Sequence, residues 1–244
     1  CVAIINNTLG PLIDIHGGGQ ELKFPHHENE IAQSEAKNKT KLANYWLHNG
    51  NLMMDSEKMS KSLGNYIFID DFLTKYDYRV LRLFFLSAHY RQPINYTLQN
   101  IENTQNEMVK IETALRTLHF KLDMNYYLDN LSGELSDTYM DRFNGEMDDD
   151  FNTANAVTVI MGIVKDANII TRQEKFSADD LSIMKILYNT LMKILDVLGI
   201  GFGIERLSES ARMLINEREK ARKKGDYKTA DEIRKLLAEK GINV

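Results

Sequence analysis

Leu12-Ile13-Asp14-Ile15-His16-Gly17-Gly18-Gly19 and, a few residues on, Phe24-Pro25-His26-His27-Glu28-Asn29-Glu30-Ile31-Ala32 form the stretch on which the fold turns. Apolar runs at Cys1 to Ile5 and Leu12 to Ile15, separated by Asn6-Asn7 and Gly10-Pro11, predict strand, turn and strand, and the three glycines predict a loop. From His26 to about Lys37 the pattern changes to helix formers, with Pro25 suited to a first helical turn. Strand, glycine loop and helix in that order give the start of the chain α/β character.

Residues 44 to 54 (Asn44-Tyr45-Trp46-Leu47-His48 through Met54) predict a buried strand pair or strand and loop, with Trp46 in the core. The α/β character is expected to end near Asp71. Beyond it the chain reads as almost entirely helical, with apolar faces over Tyr76 to His89 and 98 to 122. Asn152 or Thr153 predicts an N-cap for a helix through Val157, Ile160, Ile163 and Val164. Asp179-Asp180 opens another that Gly199, Gly201 and Gly203 end. Ser208 to Lys240 reads as a charged helical hairpin broken at Lys224-Gly225-Asp226. The expected division is therefore 1–70, 71–205 and 206–244.

Composition limits the function classes. The 244 residues are 43% hydrophobic and 27% charged, which suits a packed globular chain with one large core or two modest ones. A formal net charge of -5 excludes a global nucleic-acid field, so any basic footprint must be local. The one candidate is residues 211 to 240, with ten Lys or Arg against six Asp or Glu. A single cysteine excludes an internal disulfide and fits a reducing compartment, and no uninterrupted apolar run reaches the ~18 residues of a membrane span. A cytoplasmic protein without membrane association is expected. Because the chain starts at Cys1 with no methionine, residues upstream are expected to be missing.

Two segments carry chemistry. His26 and Glu30 are four apart, so a helix would project both from one face toward one ion, and Cys1 would add a third ligand suited to zinc. Lys58-Met59-Ser60-Lys61-Ser62-Leu63-Gly64-Asn65 interleaves lysines with hydroxyls and ends on glycine, which suits a mobile loop closing over a triphosphate. Glycines beside His16 would let a nucleotide approach the backbone closely. His27 and His48 read as hydrogen-bonded structure, and Asp148-Asp149-Asp150 as a capping, solvated acidic turn rather than a metal site.

On these residues, His16 to Ser34, Asn44 to His48 and Glu57 to Asn65, the chain resembles the cysteinyl-tRNA synthetases, which are class I aminoacyl-tRNA synthetases. The likeness continues through Ser87-Ala88-His89-Tyr90-Arg91, Asn95-Tyr96 and Met147 to Thr153 into the basic hairpin. It implies an α/β part that is the C-terminal half of a Rossmann-type catalytic domain, then an all-α helical bundle and a small helical hairpin. It further implies an enzyme, a cysteine-tRNA ligase that activates L-cysteine with ATP and Mg2+ to cysteinyl adenylate and transfers it to tRNA(Cys).

Carried over residue by residue, the resemblance makes Cys1, His26 and Glu30 three ligands of one Zn2+, whose fourth ligand would lie upstream. Lys58 and Lys61 become the catalytic lysines, and His16, Gly17, Gly18, Glu21, Met59, Ser60 and Lys61 the ATP and adenylate contacts. Arg218, Arg222, Lys223, Lys224 and Lys228 become tRNA contacts, and a monomer is expected. The family's usual aspartate is Glu21 here, and the chain by itself is expected to be inactive. Two other readings are a non-catalytic tRNA- or zinc-binding fragment and a cysteine ligase with a different amino acceptor.

Overall fold

The computed structural model describes residues 1–60, 62, 64–128 and 133–239. Its first element corrects the sequence reading, because the segment expected as a strand is helix α1 (Val2–Thr8). A short run of Val and Ile is locally ambiguous, and packing on α2 (Glu28–Asn38), reinforced by the Asn38 amide donating to Asn6 Oδ1 at 2.9 Å, decides for helix. Strand β1 (Ile13–Gly19) then takes in all of His16-Gly17-Gly18-Gly19, so the glycines are strand and not loop. The reason is space: a Cβ on Gly18 would lie 2.9 Å from the His27 ring and from Leu22.

β1 pairs in parallel with β2 (Ala43–Asn49), His16 facing Trp46 across the ladder and Gly18 facing His48. A parallel pair needs a crossover, and α2 supplies it. Between β1 and α2 run a tight helical turn (Gln20–Leu22) and a wide one (Lys23–His27). His26 and His27 therefore arrive in the turn before α2, and Glu30 in its first turn.

β3 (Leu52–Met54) pairs antiparallel with β4 (Glu57–Lys58) and parallel with β5 (Ile94–Tyr96). This second, three-stranded sheet carries strand structure past Asp71, where the α/β character was expected to end. Helices α3 (Ile69–Leu73) and α4 (Tyr78–Leu86) lie between β4 and β5 and serve as the crossover of this second parallel pair.

The helical part comprises α5 (Leu98–Met124), α6 (Asp137–Asp148), α7 (Thr153–Ile170) and α8 (Ala178–Val197). Its core includes the fully buried Ile101, Ile111, Leu115, Leu118, Ile160, Ile163, Met184 and Leu191, each stabilising the fold by about 1.5–3 kcal/mol through burial alone. Caps set the helix starts. Thr97, Ser136 and Asn152 each accept a backbone N–H through the side chain, and Ser177 with Asp180 forms a reciprocal capping box. The sequence reading did not foresee α6, whose one buried residue is Phe143. α7 is long and apolar enough to cross a membrane by length and composition, but Val157, Val159, Ile160, Ile163, Val164 and Ile170 are buried in the bundle core.

The final pair, α9 (Glu209–Lys223) and α10 (Tyr227–Glu239), is the expected hairpin, turned at Gly225 with φ of 78°. Ala211, Ile215, Ile233 and Leu237 form its small core against Phe120 and Met124 of α5. Asp123, 1% exposed, anchors it: one carboxylate oxygen accepts from Leu207 N–H at 2.7 Å, the other from the Arg212 guanidinium at 2.8 Å.

Candidate functional site

Cys1, His26 and Glu30 converge from the start of α1, the turn before α2 and the first turn of α2. Cys1 Sγ lies 3.6 Å from His26 Nε2, and His26 Nε2 lies 3.4 Å from Glu30 Oε1. The three ligand atoms all lie within 4.8 Å of one another. With metal bonds of about 2.3 Å to sulfur and about 2.0–2.1 Å to nitrogen or oxygen, a tetrahedral zinc ion sets sulfur and nitrogen about 3.5 Å apart and nitrogen and oxygen about 3.3 Å apart. The two measured edges fit that requirement, so the donor set suits zinc in chemistry and in spacing.

A second trio, His16, His27 and Glu30, is equally compact. Here the distances say something different. His16 Nε2 stands 2.8 Å from Glu30 Oε2, a hydrogen-bond length and too short for two ligands of one tetrahedral ion. Glu30, 4% exposed, therefore turns one oxygen toward His26 and the other to His16. His16 fixes the carboxylate's orientation from behind. His16, expected among the nucleotide contacts, thus stands hydrogen-bonded to Glu30 of the candidate ligand set. Strand periodicity carries the signal that was missed: His16 shares a face of β1 with Gly18, whose missing side chain admits His27.

Beneath the trio, the buried His27 and His48 share a hydrogen bond of 2.8 Å from Nδ1 to Nε2. Burial, reinforced by neighbouring imidazoles, holds both pKa values below the usual histidine range. A neutral pair can supply the one donor and one acceptor that this contact needs. Trp46, expected in the core, is half-buried instead. Its indole meets the His16 ring at 4.7 Å and stacks on His48 with 6° between planes. Trp46 and the imidazoles thus form the floor below the ligand set.

On the other flank, β4 presents Lys58, whose Nζ lies 3.5 Å from Glu21 Oε1 just after the glycine strand. A backbone hydrogen bond first, and then Lys58, hold the Glu21 carboxyl below its ordinary value. Met59 N–H donates to Leu52 O at 3.0 Å, which ties the loop root to β3. Asn65 closes the loop, its Oδ1 accepting from Ser60 N–H at 2.9 Å and its Nδ2 donating to Lys58 O at 3.2 Å. Lys61 lies outside the described residues. Gly17, Gly18 and Gly19 lie on β1, Gly18 against His27 and Gly19 against Glu21.

The remaining expected contacts sit far along the chain, on the hairpin. Arg218 and Arg222 line a cavity of about 200 Å³ with Tyr227, Asp231 and Arg234. Lys223 and Lys224 end α9 and Lys228 opens α10, all three exposed. Arg234 is paired with Asp231 at 3.3 Å, so the lining is mixed in charge but basic on balance.

Three segments of the chain match known families. Residues 1–106 match the tRNA synthetases class I (C) catalytic domain, 142–203 the DALR domain, and 205–244 the cysteinyl-tRNA ligase anticodon binding domain. A cysteine-tRNA ligase of Oceanobacillus iheyensis is 44% identical over 248 aligned positions, covering 99% of this chain and 52% of that protein. One of Staphylococcus aureus strain JH9 is 41% identical, covering 99% and 53%. The chain thus spans about half the length of the relatives it matches. Among solved structures, the LeuRS of Agrobacterium radiobacter K84, in a ternary complex with tRNA and LeuAMS, superposes with a TM-score of 0.59 at 14% identity, over 75% of this chain and 25% of that one. At that identity the likeness is one of fold.

Proposed function

Because the chain belongs to the cysteinyl-tRNA synthetase family, we propose that it carries the thiol-selecting side of the active site and the RNA-binding helices of a cysteine-tRNA ligase. The reaction would be activation of L-cysteine with Mg2+-ATP to cysteinyl adenylate and pyrophosphate, followed by transfer to tRNA(Cys). The observation that carries this reading is the Cys1, His26 and Glu30 set, spaced at 3.6 and 3.4 Å as ligands of one zinc ion.

A zinc ion held there supplies a soft Lewis-acidic position that favours a thiolate over a hydroxyl. Without such a bond, pocket contacts would separate cysteine from serine by only ~10 to 200-fold. The chain's own residues set up that selectivity. His16 donates to Glu30 and holds its carboxylate in place, and the neutral His27 and His48 pair fills the floor without adding charge. Lys58, with Lys61, is suited to neutralise charge that builds on the leaving pyrophosphate, and Gly17 and Gly18 would meet the adenylate through their backbone, the side-chain space at Gly18 being taken by His27 and Leu22. Glu21, Met59 and Ser60 border the same space.

Arg218, Arg222, Lys223, Lys224 and Lys228 would hold RNA phosphates, which positions the tRNA and favours it over an amino-sugar acceptor. We take the protein to act as a cytoplasmic monomer. The test is cysteine-dependent exchange of pyrophosphate into ATP by the protein as its full reading frame encodes it. Exchange with cysteine and not with serine, accompanied by bound zinc, is expected. Zinc-loaded protein without exchange would leave a zinc- and RNA-binding fragment as the better description.

A further inference from the structure

The loop between α4 and β5 touches both halves of the fold. Toward the active site, Gly50 N–H, just past β2, donates to Tyr90 O at 2.7 Å. Gln20 Nε2, directly after the glycine strand, donates to Arg91 O at 2.6 Å. A side chain at Gly50 would collide with the Gln92 backbone, so this approach is closed to any other residue. Toward the helices, Asp150, between α6 and α7, accepts from Arg91 Nε at 2.5 Å, Arg91 Nη2 at 3.0 Å and Tyr90 OH at 2.8 Å. Thr153, the first residue of α7, adds a donor to Ala88 O at 3.4 Å.

Exposed ion pairs are ordinarily weak, but a forked guanidinium with a third donor on one carboxylate fixes direction as well as distance. Asp150 and Phe151 both adopt left-handed backbone, with φ of 55° and 56°. Two adjacent non-glycine residues in that region persist where surrounding contacts over-determine them. Hydrogen bonds from Arg91 and then Tyr90 pull the Asp150 carboxyl down to about 2, so the pair stays ionised at any working pH.

We propose that Arg91 and Asp150 are positioning residues that hold the helical part in register with the glycine strand, by way of the Arg91 carbonyl and Gln20. The inference rests on the ligase reading, because it assigns the link to the one step that needs both halves: delivery of the tRNA end to the adenylate. Adenylate formation draws only on the α/β side and does not need the link.

Asp150→Asn suits the test, since asparagine tolerates left-handed backbone. Arg91→Lys keeps the charge and loses the fork. In the full-length protein, each change should lower the aminoacylation kcat/KM for tRNA roughly fivefold or more, with cysteine-dependent exchange held within about twofold. The double variant should be no worse than the worse single. Hydrogen exchange at 18–22 should quicken in Asp150→Asn, a readout that needs no activity. Equal loss of exchange and charging, additive effects, or unchanged protection at 18–22 would overturn the proposal. Absence of exchange in the unmodified protein would instead sink the ligase reading and leave the hydrogen-exchange result to judge the link.

Discussion

Glu30 serves two neighbours at once, and the geometry of the site depends on how its oxygens are shared. One faces His26 at 3.4 Å and the other takes the His16 hydrogen bond at 2.8 Å. His16→Asn should therefore weaken zinc binding by about 10–100-fold while leaving the ligand count unchanged. A competition titration with a chelator measures this, and unchanged affinity would remove His16 from the site. That Cys1, His26 and Glu30 come together was legible from residue type and spacing, and their ligand atoms lie within 4.8 Å of one another. The role of His16 was not, because the glycine run suggested a loop and hid the strand alternation that aims His16 at Glu30. Trp46 was misplaced for a related reason. Its size argues for burial, but its parallel pairing opposite His16 sets it among imidazoles on a half-open face.

At the scale of elements, Asp123 joins α5 to the hairpin. Its carboxylate is buried and takes both Leu207 N–H and the Arg212 guanidinium, so Asp123→Ala strands two donors and should cost about 3–5 kcal/mol. Limited proteolysis between α8 and α9 reports the change, and resistance equal to the unmodified protein would show that the apolar contacts with Phe120 and Met124 suffice. The long helices were readable from their apolar faces and caps, as at Asn152 and in the Ser208 to Lys240 hairpin. Polar α6 had no such face, and short α1 and β5 are settled by contacts distant in sequence. The pairing of β5 with β3 carries strand structure past residue 70, where the α/β character was expected to end.

For the whole molecule, charge is divided by location: an acidic chain of net charge -5 carries a hairpin with ten basic and six acidic residues over 211–240. If that hairpin grips RNA phosphates, replacing Arg222, Lys223 and Lys224 by alanine should weaken tRNA binding for all sequences alike. It should also flatten the dependence of log K on log salt by about 0.7 for each phosphate the hairpin no longer neutralises. A binding isotherm series in rising salt decides, and an unaltered slope would return these residues to a solvated helix face. X-ray absorption at the zinc edge of the full-length protein should find one further sulfur neighbour when L-cysteine is added, and none when L-serine is added. An unchanged sulfur count with cysteine, or zinc absent from the protein, would contradict the account.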